Sequence, residues 1–246
     1  MDRTNFYQAY GKVGYGWFPA KSKLQYRLLY FTAESYLNKQ TEKTESVNIG
    51  PNLDLLWNSG MEIVINPAFY QEDLNTPLLL SNTVSVPVKR YTYSALNISW
   101  EAPKTTNLRA FGNIYEGEYY DGWLHSFSVY STWYCSKYLE LSPEYEFNYV
   151  NFKNRHQTLL SHIIRLRINS ALNIHAFSNL FIQYNGLANQ IVGQARFRYN
   201  FSEGKDIYLV YNENFNSNRE NGLLPKLPGT QDCTIVLKLL YTLIEK

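Results

Sequence analysis

Cysteine and methionine are nearly absent from this chain, with two of each in 246 residues. Cys135 and Cys233 stand far apart and outside any CxxC or Cys/His pattern, so neither a zinc site nor a disulfide framework is legible. No run of about 18 apolar residues occurs, which excludes a transmembrane helix and says nothing against a transmembrane strand. The residues after Met1, DRTNFYQAYGKVGYG, lack the charged start and apolar stretch of a signal peptide, so the chain as written is not expected to be exported. Charge of one sign is also lacking: the net charge is +2 and acids and bases are interspersed. That leaves no nucleic-acid stripe and no polybasic membrane patch. Glu72, Asp73 and Asp121 have no EF-hand spacing, and no cofactor motif is present, so neither a metal nor a cofactor is expected.

Aromatic residues are abundant, 16% of the chain, with Tyr 22 and Phe 13, a composition that suits strands. Period two dominates. In Ala195-Arg196-Phe197-Arg198-Tyr199-Asn200-Phe201 one face is apolar or aromatic and the other carries two arginines and an amide. The same alternation sets His162, Ile164, Leu166 and Ile168 against Arg165, Arg167 and Asn169, and Leu139, Leu141, Tyr145 and Phe147 against Glu140, Glu144 and Glu146. It recurs in Ile235, Leu237, Leu239 and Tyr241 against Thr234, Lys238 and Thr242. The pattern predicts about thirteen or fourteen strands. They fall near 3–18, 23–37, 44–57, 60–72, 83–101, 106–118, 122–137, 139–152, 158–171, 173–184, 190–201, 206–214 and 231–244. Most reach the roughly 9 to 11 residues that cross a bilayer at a tilt, whereas strands of soluble proteins average about 5 to 6.

Short turns alternate with longer polar connections. Pro19-Ala20-Lys21, Asn58-Ser59-Gly60, Pro103-Lys104-Thr105, Ser170-Ala171-Leu172 and Ser202-Glu203-Gly204-Lys205 read as tight turns. Between them lie Asn38 to Lys43, Gln71 to Asn82, Glu116 to Gly122, Asn151 to Gln157, and Asn214 to Gln231. This is the rhythm of an antiparallel up-and-down transmembrane β-barrel, or the C-terminal part of one, with short periplasmic turns and long outer loops. An odd strand count and a first strand running towards a short turn lead to the expectation that one or more strands precede Met1, and that residues 1–246 form a single barrel domain.

Such a barrel turns its polar faces inward, because charged groups are not left in hydrocarbon. The lumen-facing candidates are Glu140, Glu144, Glu146, Arg165, Arg167, Arg196, Arg198 and Lys238. They form opposite-sign ladders whose plain reading is a structural salt-bridge lattice and whose functional reading is a selectivity or ligand-binding surface. Tyr115, Tyr119, Tyr120, Trp123 and Tyr130 read first as an aromatic girdle at the membrane interface, second as a platform for a sugar beside Glu116, Glu118 and Asp121. The histidines are His125, His156, His162 and His175. Ser161 with His162, and His125 with Ser126, are adjacent on a strand and point to opposite faces, so neither is a catalytic pair, and no enzyme is expected. A soluble all-β sandwich, with its apolar faces packed together, is the rival architecture.

The stretch ARFRYNFSEGKDIYLVYNENFN at 195–216 and TIVLKLLYTL at 234–243 resemble the last hairpin and closing strand of a family of Gram-negative outer-membrane barrels. The family is a domain of unknown function, 5916 type, found downstream of a family 9 carbohydrate-binding module. GYGWFP at 14–19, the strand pair around Trp100 to Arg109, and IIRLRINSALNIHAFSNLFIQYN at 163–185 are similar but weaker. The resemblance implies a bacterial outer-membrane barrel, with lipid and the outer-membrane assembly machinery as partners, and an upstream binding module outside this chain. It leaves the barrel's own function open, the expectation being a binding, transport or anchoring role with a glycan or small solute as ligand. Some relatives carry a membrane-associated hydrolase label, which no residue set here supports. The chain departs from the pattern at its end, Leu243-Ile244-Glu245-Lys246, where an aromatic residue is usual and Tyr241 is the nearest.

Overall fold

A computed structural model of the chain describes residues 5–103, 107–220 and 225–242. Residues 1–4, 104–106, 221–224 and 243–246 lie outside the described residues, and with them parts of the strands expected at 3–18, 106–118 and 231–244, of the turn expected at 103–105 and of the long 214–231 connection. All extended elements but two short ones form one antiparallel sheet. Its strands are β1 (Phe6–Trp17), β2 (Leu24–Asn38), β3 (Thr44–Trp57) and β4 (Glu62–Asp73). A two-residue pair, β5 (Leu78–Leu79) and β6 (Ser85–Val86), stands apart. The sheet continues with β7 (Arg90–Glu101), β8 (Leu108–Tyr119), β9 (Gly122–Ser136) and β10 (Leu139–Phe152). It ends with β11 (Gln157–Ala171), β12 (Ala176–Asn185), β13 (Gln190–Ser202), β14 (Lys205–Asn216) and β15 (Thr230–Tyr241). Thirteen strands are ordered as they occur in the chain, each beside its sequence neighbour, with β1 and β15 at the ends of the order. This is the up-and-down arrangement of a β-barrel wall or part of one.

Chain reversal needs the left-handed region at two tight turns, and glycine supplies it: Gly60 has φ 87° between β3 and β4, and Gly204 has φ 72° between β13 and β14. Two expectations are corrected. The strand expected over 83–101 breaks, because Pro87 has no N–H for a ladder, and only Arg90–Glu101 joins the large sheet. The connection expected at Glu116 to Gly122 shrinks to Tyr120 and Asp121, since β8 and β9 extend almost to each other.

The chain divides into two compact units, one of residues 1–105, 111–128 and 147–160, the other of residues 106–110, 129–146 and 161–246. Within the first unit the register builds an unbroken apolar row, Tyr15, Leu29, Leu53, Ile65, Ile98 and Ile114, directly opposed from β1 through β8. The opposite face carries Tyr10, Glu34, Asn48, Tyr70 and Tyr93 in register. The second unit repeats the division. Ile168, Leu180, Ala195, Tyr211 and Ile235 form one row, and Arg167, Phe181, Gln194, Asn212 and Thr234 a row on the other face.

Burial is inverted relative to a soluble domain. The apolar rows are open, with Leu29 48% and Ile164 50% exposed, while Asn52, Asp54, Ser161 and Asp206 are buried. The buried apolar cluster of the described residues lies in the first unit. Leu74, Val84 and Val86, from the segment between β4 and β7, are buried with Tyr91, Tyr93, Val150 and Phe152. Tyr91 and Tyr93 share the polar-face side of β7, so this segment folds over that face. Tyr91 Oη donates to the Pro87 carbonyl at 2.9 Å and closes it down.

Candidate functional site

On the polar face of the second unit, period-two strands hold charged side chains at fixed spacing, and neighbours meet where the register aligns them. Arg165 Nη1 reaches Glu144 at 3.3 Å and bonds Glu146 as well, and its Nε donates to Gln183 at 2.9 Å. Tyr130 Oη donates to Glu146 at 3.0 Å. Arg198 pairs with the buried Asp206 at 2.8 Å, and Asn200 donates to the same carboxylate at 3.0 Å. Glu140 is held by an amide instead of a cation: Asn169 donates to it at 2.7 Å and in turn accepts from Asn179 at 2.7 Å. Arg167 and Arg196 line one cleft of about 350 Å³ on this face. Lys238 stands opposite Tyr208 in register. The lattice is therefore selective: Arg165 and Arg198 are neutralised, while the arginine two residues from each is not in an ion pair among the described residues.

The tyrosines behave differently from the expected girdle. Tyr115 shares the polar face with Asn66 and Asn97, and Tyr119 and Tyr120 pack with Tyr93. Tyr120 also meets Tyr91 edge-on and donates to Glu72 at 2.7 Å. Burial, and then the bond to the Glu72 carboxylate, push the Tyr120 phenol above its usual range. Tyr130 is drawn to Glu146 on the polar face. All four rings are half-buried: Tyr120 and Tyr130 donate to carboxylates, Tyr115 donates to the Glu118 backbone carbonyl at 3.0 Å, and Tyr119 packs on Tyr93 and Tyr120. Trp123 alone of the five is outward and exposed. Its indole N–H donates to Glu116 at 2.6 Å, His125 Nδ1 meets the other Glu116 oxygen at 2.7 Å, and His125 stacks on Tyr149. Trp123 and His125, together with Glu118, Asp121, Asn151 and Lys153, line a cleft of about 620 Å³.

The other histidines are engaged elsewhere. His162 Nδ1 bonds Tyr145 Oη at 3.0 Å, His175 lies against the Tyr199 ring, and His156 closes the short turn after β10 in a left-handed conformation. The sequence reading missed Tyr70, Tyr91, Tyr93 and Glu72 as a cluster. The signal was present in Tyr91, Tyr93 and Ala95 at period two, followed by their opposition to Glu72, Tyr70 and Ala68, but the second half is a matter of register. Among the described residues no group of three or more His, Cys, Asp or Glu is arranged to hold a metal. No protein-family profile matches the chain, and no curated protein matches it. The functional reading therefore rests on the two faces of the sheet.

Proposed function

We propose that this chain forms the wall, or part of the wall, of a membrane-spanning β-barrel in a bacterial outer membrane, whose polar face borders a wet interior that binds or passes a small polar solute. One observation carries the proposal. Strands of 10 to 15 residues present continuous apolar rows on one face, while the Arg165 and Arg198 ion pairs, the Asn52 and Asn66 amides and the Tyr70 and Tyr93 phenols lie on the reverse face. The pairs of Glu116 with His125 and of Asp73 with Arg90 sit near strand ends on the apolar side. In water those rows would have to be covered, since soluble proteins rarely expose apolar patches beyond a few hundred Å². In lipid they need no cover. The segment at 74–89 narrows the polar side of the first unit. The test is to refold the full chain in detergent and in lipid vesicles, and to score heat-modifiable migration on gels and conductance in a planar bilayer. Migration that does not change on heating, from a chain that stays monomeric without detergent, would reject the barrel.

A second reading concerns the Trp123 cleft. An exposed indole fixed by Glu116, flanked by His125, Asn151, Lys153 and acidic groups, has the make-up of a sugar-binding surface. Glycan-array binding that is lost in Trp123→Ala, with folding intact, would support it; binding unchanged by that substitution would not.

A further inference from the structure

We infer that Arg167 and Arg196 form a binding site for a small oxyanion, the carboxylate or phosphate of a polar solute, on the polar face of β11 to β14. This rests on the proposal that the face is wet. The two arginines, with the amides of Asn169, Asn179, Gln194 and Asn212, line one cleft of about 350 Å³, and no acid is among its lining residues. The contrast with their neighbours is the informative feature. Arg165 has Glu144 and Glu146, and Arg198 has Asp206, so this sheet supplies carboxylates where a cation is to be neutralised. Glu140, which meets the lining residue Asn169, is turned to that amide and accepts its hydrogen bond at 2.7 Å.

Register places the two cations suitably. Arg196 is opposite Asn179, and Arg167 is opposite Phe181, two residues along β12. They are two strands apart, about 10 Å across the sheet plus the offset, close enough for two long side chains to meet one anion from both sides. Each guanidinium offers a planar fork that fits carboxylate or phosphate oxygens in pairs. Gln194, opposite Phe181, and Asn212, opposite Gln194, have no side-chain hydrogen bond among the described residues, leaving their N–H donors for the same ligand. Phe181 between the strands holds Arg167 by its ring, with the guanidinium carbon 5.7 Å from the centroid. Two positive charges in a shared cleft repel each other, and a bound anion removes that repulsion.

The experiment uses the full chain in detergent micelles, labelled with ¹⁵N-arginine and titrated with inorganic phosphate against sodium chloride at constant ionic strength. The Nε–Hε signals of Arg167 and Arg196 are expected to move along one saturable curve, and those of Arg165 and Arg198 to move little. Arg167→Gln and Arg196→Gln should each weaken phosphate binding at least tenfold, and Arg167→Lys, which keeps the charge and loses the fork, should weaken it less. Shifts that never saturate, or that are equal at all four arginines, would overturn the site. Heat-modifiable migration of the same sample is scored separately. Saturable shifts in a chain that shows no such migration would keep the site and reject the barrel, and heat-modifiable migration without saturation would do the reverse.

Discussion

Arg165 and Arg167 are two residues apart on one face of one strand, yet their surroundings make them unequal. Removing Arg165 leaves Glu144 and Glu146 as neighbouring carboxylates without their cation, whereas removing Arg167 strands no acid. Arg165→Gln is therefore expected to lower unfolding stability by about 1 kcal/mol or somewhat more, and Arg167→Gln to leave the denaturant midpoint almost unchanged. The comparison is made by urea unfolding of both variants in the same detergent. Tyr120 offers a second contrast. With its phenol raised by burial and by Glu72, its contribution is intact below about pH 10, the ordinary tyrosine value, and is lost as pH rises beyond it. Tyr120→Phe should remove about 1 kcal/mol and flatten the alkaline loss of stability, read from unfolding at neutral and high pH. If both proteins lose stability in parallel above that pH, Tyr120 is not the group responsible.

At the scale of elements, the segment between β4 and β7 is the part of the chain that departs most from a plain meander. Its apolar residues have a place to go because Tyr91, Tyr93, Val150 and Phe152 leave an apolar hollow on an otherwise polar face. Val86 is fully buried there, so Val86→Ala should cost about 1 to 3 kcal/mol locally and open residues 74–89 to proteolysis. Cleavage confined to that segment is the expected pattern; uniform cleavage along the chain would show that the hairpin is not an independent layer. Strand packing at β8 is tight in a different way. A methyl on Gly112 would lie 2.7 Å from the Ser128 carbonyl oxygen and from the Trp100 ring. Gly112→Ala should destabilise by about 1 to 3 kcal/mol, measured by the thermal shift of migration on gels, because both neighbours are held by their own ladders.

Across the whole molecule the deciding question is which solvent meets the apolar rows, and one substitution separates the answers. Leu29 sits in the apolar row between Tyr15 and Leu53 and is 48% exposed, so Leu29→Arg in a water-facing surface would alter stability by no more than about 0.5 kcal/mol. Facing hydrocarbon, it would cost about 2 to 4 kcal/mol in vesicles. Much of this architecture is legible along the chain. Alternation in 195–201 and 163–169 fixes which residues share a face, since successive side chains on a strand must point opposite ways. Glycine and proline positions mark most of the short turns for equally local reasons. Partnership is not local. Whether Arg198 finds Asp206 while Arg196 finds no acid depends on which residue of β14 stands opposite, and a one-residue slip would exchange every pair. Nor could periodicity show that Tyr115, Tyr119 and Tyr120 turn towards Glu72 and its neighbours, or that the connection read as polar and the start of the strand expected at 83–101 carry Leu74, Val84 and Val86 into the only buried apolar cluster of the described residues. Alternation, a property of the backbone, was determined by the sequence alone; the distribution of charges into neutralised and open sites was decided by tertiary register, because it depends on distances between residues that the chain order keeps apart.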